Sequence, residues 1–580
     1  MGVLFVKKKK FLFGIFVFVL TVIFSGTILA FADVNNTELA AGSLGSEIKI
    51  EKGEDNVESR IKDTLASVYN RIIFSIDDII GKISADNPYF NLSAGGQGIE
   101  LKLSDKALTG SKTTYQWYSC SDLKKNNAEA IEGATSSSYT TPDFESPEIR
   151  YYYCLIKTPV SAVKTRVYQV AYTGIPVVYI ETPDGKAISN HNSWLEGASI
   201  TIDGNGTDYD SLEKTPIRIK GRGNSTWIWP TAKKPYTFKF EDSTKVLGMG
   251  KNKTWALMAN FRDKSLLRNW FASELERTVF ARDNMWKTEF VCVDLILNGQ
   301  YHGNYNIATT IKIGSKRIDI PDISDILSGE LKDTNEDGVI NYDDGGFIVE
   351  LNRFKNEPYN FTTSRNIIFS LKDPDLNNPN DGNLDIVKYI ASYIQSVEDV
   401  IYSDNFADEE TGYASYIDVD SFVDWYIMEE LSKNHDGVFD LSTYMYYNPK
   451  DKLLHMAPVW DNDIAYGNYM GELAKTENFH VKAGWYVRLF QDPAFNQKVK
   501  DRWAEKRDDI FDFANNDLQN KADEIRVSAQ LNFQRFRILG HYIWQDPSGF
   551  RERKTFQSNV DSLTNFINGR IAWLDSQWLD

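Results

Sequence analysis

Apolar and polar positions change their spacing several times along this chain, and each change predicts a different kind of element. Lys7 to Lys10 precede an almost wholly apolar stretch that ends in Ala30-Phe31-Ala32, so residues 1–32 read as a secretory signal peptide cut before Asp33. An uncleaved anchor would use the same apolar run, and in either case the body of the protein is expected outside the cytoplasm. Residues 33–86 read as a polar segment and an amphipathic helix, because Ile61, Leu65, Val68, Ile72, Ile76 and Ile79 recur every three or four positions. From 87 to 173 the period falls to two. Runs such as Tyr115-Gln116-Trp117-Tyr118 and Tyr151-Tyr152-Tyr153-Cys154, set between polar turns, predict an all-β sandwich. Residues 174–580 are strand-rich to about Leu371 and helical afterwards, with Val387, Ile390, Ile394, Val397 and Ile401 on one stripe. The expected architecture is therefore multidomain, a sandwich followed by an α+β domain.

Charge and composition then remove several classes of function. The chain has 580 residues and a formal net charge of −17 at pH 7, which disfavours a nucleic-acid partner because phosphate contacts need a basic face. Its length exceeds what one hydrophobic core normally serves. Aromatic residues, including 14 Trp and 30 Tyr, allow either large cores or a sugar-stacking surface. Three cysteines exclude a disulfide scaffold and a cysteine-rich zinc module; a Cys120–Cys154 bridge and free thiols stay equally open. There is no His-Glu-x-x-His pair, no Gly-x-Ser-x-Gly elbow and no complete Walker loop.

Candidate chemistry gathers in three places. The first is Arg218 to Trp227, a strand running into a glycine-rich turn in which Arg222 and Asn224 offer a cation and an amide to a phosphate. On the next strand Phe238 and Phe240 share a face and Lys239 points the other way. Asp263 is placed to cap a helix whose Leu267, Trp270, Phe271 and Glu274 share a face, and Lys239 is a candidate partner for Glu274. The second place lies between Asp418 and Asn468. Asp418 can cap a helix that ends near Asn434-His435-Asp436-Gly437, and two β-prone runs follow, Ser442 to Tyr447 and Leu453 to Trp460. Paired as a hairpin, they bring Asp436 and Asp461 together at its open end, with Asp463 beside them. Oxygen ligands of this kind suit Mg²⁺ or Mn²⁺. The third is the loop Asp333 to Asp344, where Asp333, Asn335, Asp337, Asn341 and Asp344 fall at EF-hand-type spacing around Gly338, and a structural Ca²⁺ is expected.

Two resemblances follow from these residues. Trp117, Tyr152 and Cys154 are similar to the core tryptophan and tyrosine corner of bacterial immunoglobulin-like modules. Lys220 to Trp227, Lys233 to Lys239, Leu247-Gly248-Met249, Trp255 to Asn260, Asp263 to Asn269, Gly345 to Leu351 and Pro458 to Asn468 together resemble the spore coat protein H (CotH) kinase family. That resemblance implies an atypical protein-kinase-like domain over 174–580, transferring the γ-phosphoryl group of ATP, with Mg²⁺ or Mn²⁺, to Ser or Thr of a surface or coat-like protein. It makes Asp436 the catalytic carboxylate, Asp461 and Asp463 metal ligands, and Arg222, Asn224, Lys239 and Glu274 nucleotide-binding, with Lys234 the alternative to Lys239. Thr309 stands where the family usually has glutamate. A non-catalytic adhesion or polysaccharide-associated protein on the same shell, associated with a cell wall or surface, is the alternative, and hydrolysis of a phosphoester by the same aspartates a third reading.

Overall fold

The computed structural model describes residues 90–103, 113–158, 161–223, 225–228, 233–283, 285–329, 341–355, 357–376 and 381–579. The expected signal peptide and the stripe from Ile61 to Ile79 lie outside them. Contacts divide the described residues into a small unit, 113–115, 155–158 and 161–163, and a large one that holds the rest. The cleft described below lies within the large unit.

Short strands come first: β1 (Phe90–Leu92), β2 (Glu100–Lys102), β3 (Thr114–Cys120), β4 (Glu129–Ala130), β5 (Ser138–Thr140), β6 (Glu148–Thr158), β7 (Ser161–Lys164) and β8 (Tyr168–Tyr172). One sheet runs β1-β8-β6-β3-β4, and β2 pairs β5 in a second. Trp117 is fully buried, and its ring lies 5.3 Å from Tyr168 on one sheet and 6.0 Å from Tyr139 on the other. Its indole N–H donates to the Ser136 carbonyl at 2.9 Å, which satisfies the one polar atom such a core residue carries. Two tyrosines of this region are tied by their hydroxyls to backbone, Tyr168, which donates to the Lys102 carbonyl at 2.9 Å, and Tyr172, which donates to the Asn205 carbonyl at 3.2 Å; Tyr152 packs its ring 5.6 Å from Tyr139 instead. Cys120 and Cys154 are free thiols. Burial pushes the Cys154 thiol up to about 11, which keeps it unreactive.

Seven strands then close a barrel: β9 (Val177–Glu181), β10 (Leu195–Asp203), β11 (Leu212–Gly221), β12 (Tyr236–Val246), β13 (Met249–Met258), β14 (Phe290–Leu297) and β15 (Gln300–Thr309), in the order β10-β11-β12-β13-β15-β14-β9. Within the barrel only the β14–β9 pair is parallel. The period-two pattern decides what faces inward: Phe238 and Phe240 fill the barrel core with Ile217, Ile219 and Trp255, while Thr237 and Lys239 take the opposite face of β12. Asn205 ties the barrel to the preceding strands, accepting from the Gly95 N–H at 2.8 Å and donating to the Ile175 carbonyl at 2.8 Å.

The loop between β13 and β14 carries the helix Arg268–Thr278. It begins later than the expected cap, because Leu266 is left-handed (φ 60°) and Asp263 acts through a turn. The Asp263 carboxylate accepts from Ser265 N–H at 2.9 Å and Arg268 N–H at 2.8 Å and binds the Arg268 guanidinium. The helix buries Phe271 and Leu275, and Glu274 stays at its edge.

A five-stranded antiparallel sheet follows, order β17-β18-β16-β19-β20, from β16 (Phe347–Leu351), β17 (Asn360–Thr362), β18 (Ile368–Asp373), β19 (Thr443–Asn448) and β20 (Leu453–Met456). The expected hairpin is β19–β20, in register at Met445↔Met456 and Tyr447↔Leu454. Its core is shared with the helix Asp381–Ile401, whose Ile386, Ile390, Ile394, Val397 and Ile401 are fully buried, and with the helix Val419–Ser432. Val387, expected on that stripe, is only half-buried because Ile386 takes the core position. Asp418 does cap Val419–Ser432, accepting from Ser421 N–H at 2.7 Å. The C-terminal helix Phe556–Trp578 completes the core and contributes Arg570, which meets Glu430 at 2.7 Å with both side chains wholly enclosed.

These buried polar groups have two testable consequences. Arg570 also donates to the carbonyls of Glu430, Thr476 and Asn478, so Arg570→Leu strands a buried carboxylate and three acceptors. The expected loss is about 3–5 kcal/mol in urea unfolding at pH 7; a loss below about 1 kcal/mol would show that the pair is not enclosed. Burial pushes His480 and His302 down to about 4. The unfolded chain takes up those protons near 6.5, so stability is full above that pH and is lost as pH falls from about 6.5 toward 4. His480→Gln should flatten the slope of unfolding free energy against pH in that window.

Candidate functional site

Two chain reversals deliver the three aspartates to one cleft. The helix Val419–Ser432 stops at Lys433, which is left-handed (φ 47°). Asn434 then fixes the turn: its side chain accepts from Asp436 N–H at 3.3 Å, and its carbonyl meets His480 Nε2 at 2.6 Å. Gly437 is required next, because a Cβ there would lie 1.8 Å from Glu429 Oε2. On the far side of the β19–β20 hairpin, Val459 N–H donates to Glu276 Oε2 at 3.1 Å, and Glu276 is held by Lys287 at 2.8 Å. Trp460 lies 5.6 Å from Phe290 with the Arg222 guanidinium 5.1 Å above its ring. Asp461 is left-handed (φ 61°), which turns the chain sharply so that both Asp461 and Asp463 face the same space.

That space is a cleft of about 1030 Å³. Its walls come from the barrel end (Lys220, Gly221, Arg222, Thr237), the exit of β13 (Met258 to Arg262), the second sheet (Glu350, Lys372, Tyr444), and the loops carrying His435, Asp436, Asp461 and Asp463. Burial, reinforced by the charge of Asp461, pushes Asp436 up to about 7, while Arg353 and Arg262 pull it back. Burial and the Asp461 charge likewise raise Asp463, and burial raises Asp461 against the pull of Arg222 and Arg262. Like charges are thus held together out of water, and each resists ionising beside the others.

Among the described residues no group of three or more His, Cys, Asp or Glu side chains could hold a metal ion. A pair of carboxylates nevertheless fits Mg²⁺ or Mn²⁺, which take one or two carboxylates and complete their shell with water and substrate phosphates. The chemistry of the donor set agrees: Asp461 and Asp463 are oxygen donors that face the cleft, Asp461 raised by burial and Asp463 by burial and the Asp461 charge, the state a cation relieves. Arg222, Lys220, Arg262 and Lys372 offer positive charge in the same cleft.

The sequence expectations for the other residues fare unevenly. Arg222 lines the cleft; Asn224 lies outside the described residues. Lys239 and Glu274 are not brought together. Lys239 sits farther along the barrel wall among Arg218, Lys312 and Lys253, and Glu274 pairs with Arg277 at 2.5 Å on its own helix; neither lines the cleft. Facing outward on β12 is not enough, because only the end of that strand reaches the cleft. Lys234, the alternative, donates to the Trp227 carbonyl at 2.6 Å and does not line the cleft either. The Lys–Glu contact that does line it is Lys372 on β18 with Glu350 on β16, at 3.2 Å, and Glu357 joins them at 2.5 Å. These carboxylates outweigh burial and raise the Lys372 pKa, so it stays charged. Glu350 stood in the Gly345 to Leu351 motif, but nothing in that motif marks a partner on a neighbouring strand.

Of the acidic loop, Asp333, Asn335 and Asp337 lie outside the described residues. Asn341 caps the short 3-10 turn Tyr342–Asp344, accepting from Asp343 N–H at 3.0 Å. Thr309 is buried away from the cleft, where its hydroxyl oxygen accepts from Glu289 N–H at 2.8 Å. No helix among the described residues is long and apolar enough to cross a membrane.

No curated protein matches the chain. A family model described as CotH kinase protein matches residues 217–574, a span that begins on β11, ends in the last helix and contains every cleft-lining aspartate. With more than half its length matched, and the match enclosing Asp436, Asp461 and Asp463, this kinase-like chain belongs to the CotH kinase protein family.

Proposed function

We propose that the protein is an extracytoplasmic atypical protein kinase that transfers the γ-phosphoryl group of ATP to a serine or threonine hydroxyl of a surface or coat-like protein. The observation that carries this reading is the convergence of Asp436 with Asp461 and Asp463 in one cation-walled cleft. Membership of the family implies ATP, a divalent metal and a protein substrate in general terms. The serine- or threonine-rich acceptor and the location outside the cytoplasm rest on the family resemblance and the N-terminal apolar run, and the spacing of the 333–344 loop supports a structural Ca²⁺ there.

Asp436, raised to about 7 by burial and the Asp461 charge, suits a group that orients the acceptor hydroxyl and takes its proton as the new O–P bond forms. Asp461 and Asp463 would hold the divalent ion, which when bound neutralises phosphate charge. Arg222, Lys220 and Lys372 are placed to take the remaining phosphate oxygens, and Glu350 orients Lys372 as it does so. The bond to the β-phosphate oxygen breaks and ADP carries the electron pair away. Part of the aromatic content that allowed a sugar-stacking surface lies inside: Trp117, Trp255, Trp485 and Trp503 are fully buried.

With purified protein, labelled ATP and Mn²⁺ or Mg²⁺, Asp436→Asn and Asp461→Asn should each lower phosphoryl transfer by about a hundredfold or more. Wild-type rates in both variants would sink the kinase reading. Lys372→Met should raise the KM for ATP about tenfold, whereas Lys239→Ala and Glu274→Ala should stay within about twofold of wild type, because neither side chain reaches the cleft. The reverse ranking would return the nucleotide to the β12 wall.

A further inference from the structure

Asp263 to Asn269 is a motif for which the catalytic reading has no use, yet it is almost wholly buried beside the cleft. Its last residue, Asn269, lies at the centre of a chain of amide hydrogen bonds. The backbone N–H of Asn462, between Asp461 and Asp463, donates to Asn269 Oδ1 at 2.7 Å. Asn269 Nδ2 donates to Asn260 Oδ1 at 3.0 Å, Asn260 Nδ2 donates to Asn306 Oδ1, and Asn306 Nδ2 reaches Cys292 Sγ at 3.1 Å. A backbone N–H can only donate, so it fixes which end of Asn269 is oxygen, and each following amide is oriented in turn. The four asparagines are between 0 and 4% exposed, and Asn260 and Asn269 also form part of the cleft wall.

The chain joins two parts of the fold. Asn306 is on β15 and Asn260 lies just beyond β13, left-handed at φ 48°; Asn462 is in the aspartate turn. Arg268 adds a second tie, its Nε donating to the Ala465 carbonyl at 3.0 Å while Asp263 holds its guanidinium. The turn that presents Asp461 and Asp463 is therefore braced against the barrel side through side-chain amides, to which its own Asn468 adds bonds to the Arg262 carbonyl at 3.1 Å and the Asp463 carbonyl at 2.8 Å.

We infer that Asn269 is a positioning residue that sets the spacing of Asp461 and Asp463 for a divalent ion, with Asn260 and Asn306 transmitting the barrel's geometry to that pair. It rests on the reading that these two aspartates hold the ion. Asn269 touches no reacting atom; it acts through the Asn462 N–H. Such outer partners of metal ligands change metal affinity by about 10–100-fold when removed.

The test uses the full chain, Mn²⁺ followed by electron paramagnetic resonance in the presence of a non-hydrolysable ATP analogue, and hydrogen exchange. Asn269→Ala should weaken Mn²⁺ binding about tenfold or more. It should also speed exchange across 461–468 while leaving the helix Phe556–Trp578 at wild-type protection, which shows that the fold survives. Asn306→Ser, remote from the cleft, should shift both readouts in the same direction by a smaller amount. Wild-type Mn²⁺ affinity and unchanged exchange in Asn269→Ala would overturn the inference alone. Failure of the wild-type protein to bind Mn²⁺ would overturn the ion-holding reading, and the exchange data would still decide whether Asn269 braces the turn.

Discussion

The structure is organised around a repulsion. Asp436, Asp461 and Asp463 are held in one cleft where burial and mutual proximity raise their pKa values, and each would be more comfortable in water or farther from the others. No local preference of the sequence produces that arrangement. It persists because surrounding packing overdetermines it: a left-handed Asp461, a glycine wedged against Glu429, and asparagines that hold the backbone from both sides.

The buried charges around the cleft fit the same account. Glu276 with Lys287 supports the Val459 N–H just before Asp461, and Glu430 with Arg570 supports the backbone of His480 and Val481, which in turn steadies Asn434. Enclosed ion pairs contribute little net stability, since desolvation offsets most of their attraction. Their effect in this fold is geometric. Each ends on a backbone group of a segment that carries or braces an aspartate, so they fix where the carboxylates sit. The barrel supplies the rigid wall and the helical part the turns, and the amides of Asn260, Asn269 and Asn306 join them.

Much of this was readable from the sequence where one element decides the matter. Period-two alternation put Phe238 and Phe240 on one face of β12, the β-prone runs Ser442 to Tyr447 and Leu453 to Trp460 predicted the β19–β20 hairpin, and that hairpin brought Asp436 and Asp461 to one end. Trp117 was legible as a core residue through the resemblance to immunoglobulin-like modules, and it is fully buried. What failed depended on distance along or between elements. Lys239 faces the expected side of β12 but lies too far along it, and Glu274 found a nearer partner in Arg277. Lys372 with Glu350, and the asparagine chain, join strands and loops far apart in sequence, and no spacing rule relates them. Tyr168 and Tyr172 in place of Tyr152 as the tethered tyrosines are a smaller case, decided by which hydroxyls reach a backbone carbonyl.

The central claim is that one cleft gathers a nucleotide, a divalent ion and Asp436. Crystals grown with Mn²⁺ and a non-hydrolysable ATP analogue, measured at the manganese absorption edge, test it directly. The anomalous peak is expected against the carboxylates of Asp461 and Asp463, with the phosphates toward Arg222 and the terminal one facing Asp436. A peak elsewhere on the chain, or a nucleotide bound outside these walls, would contradict it.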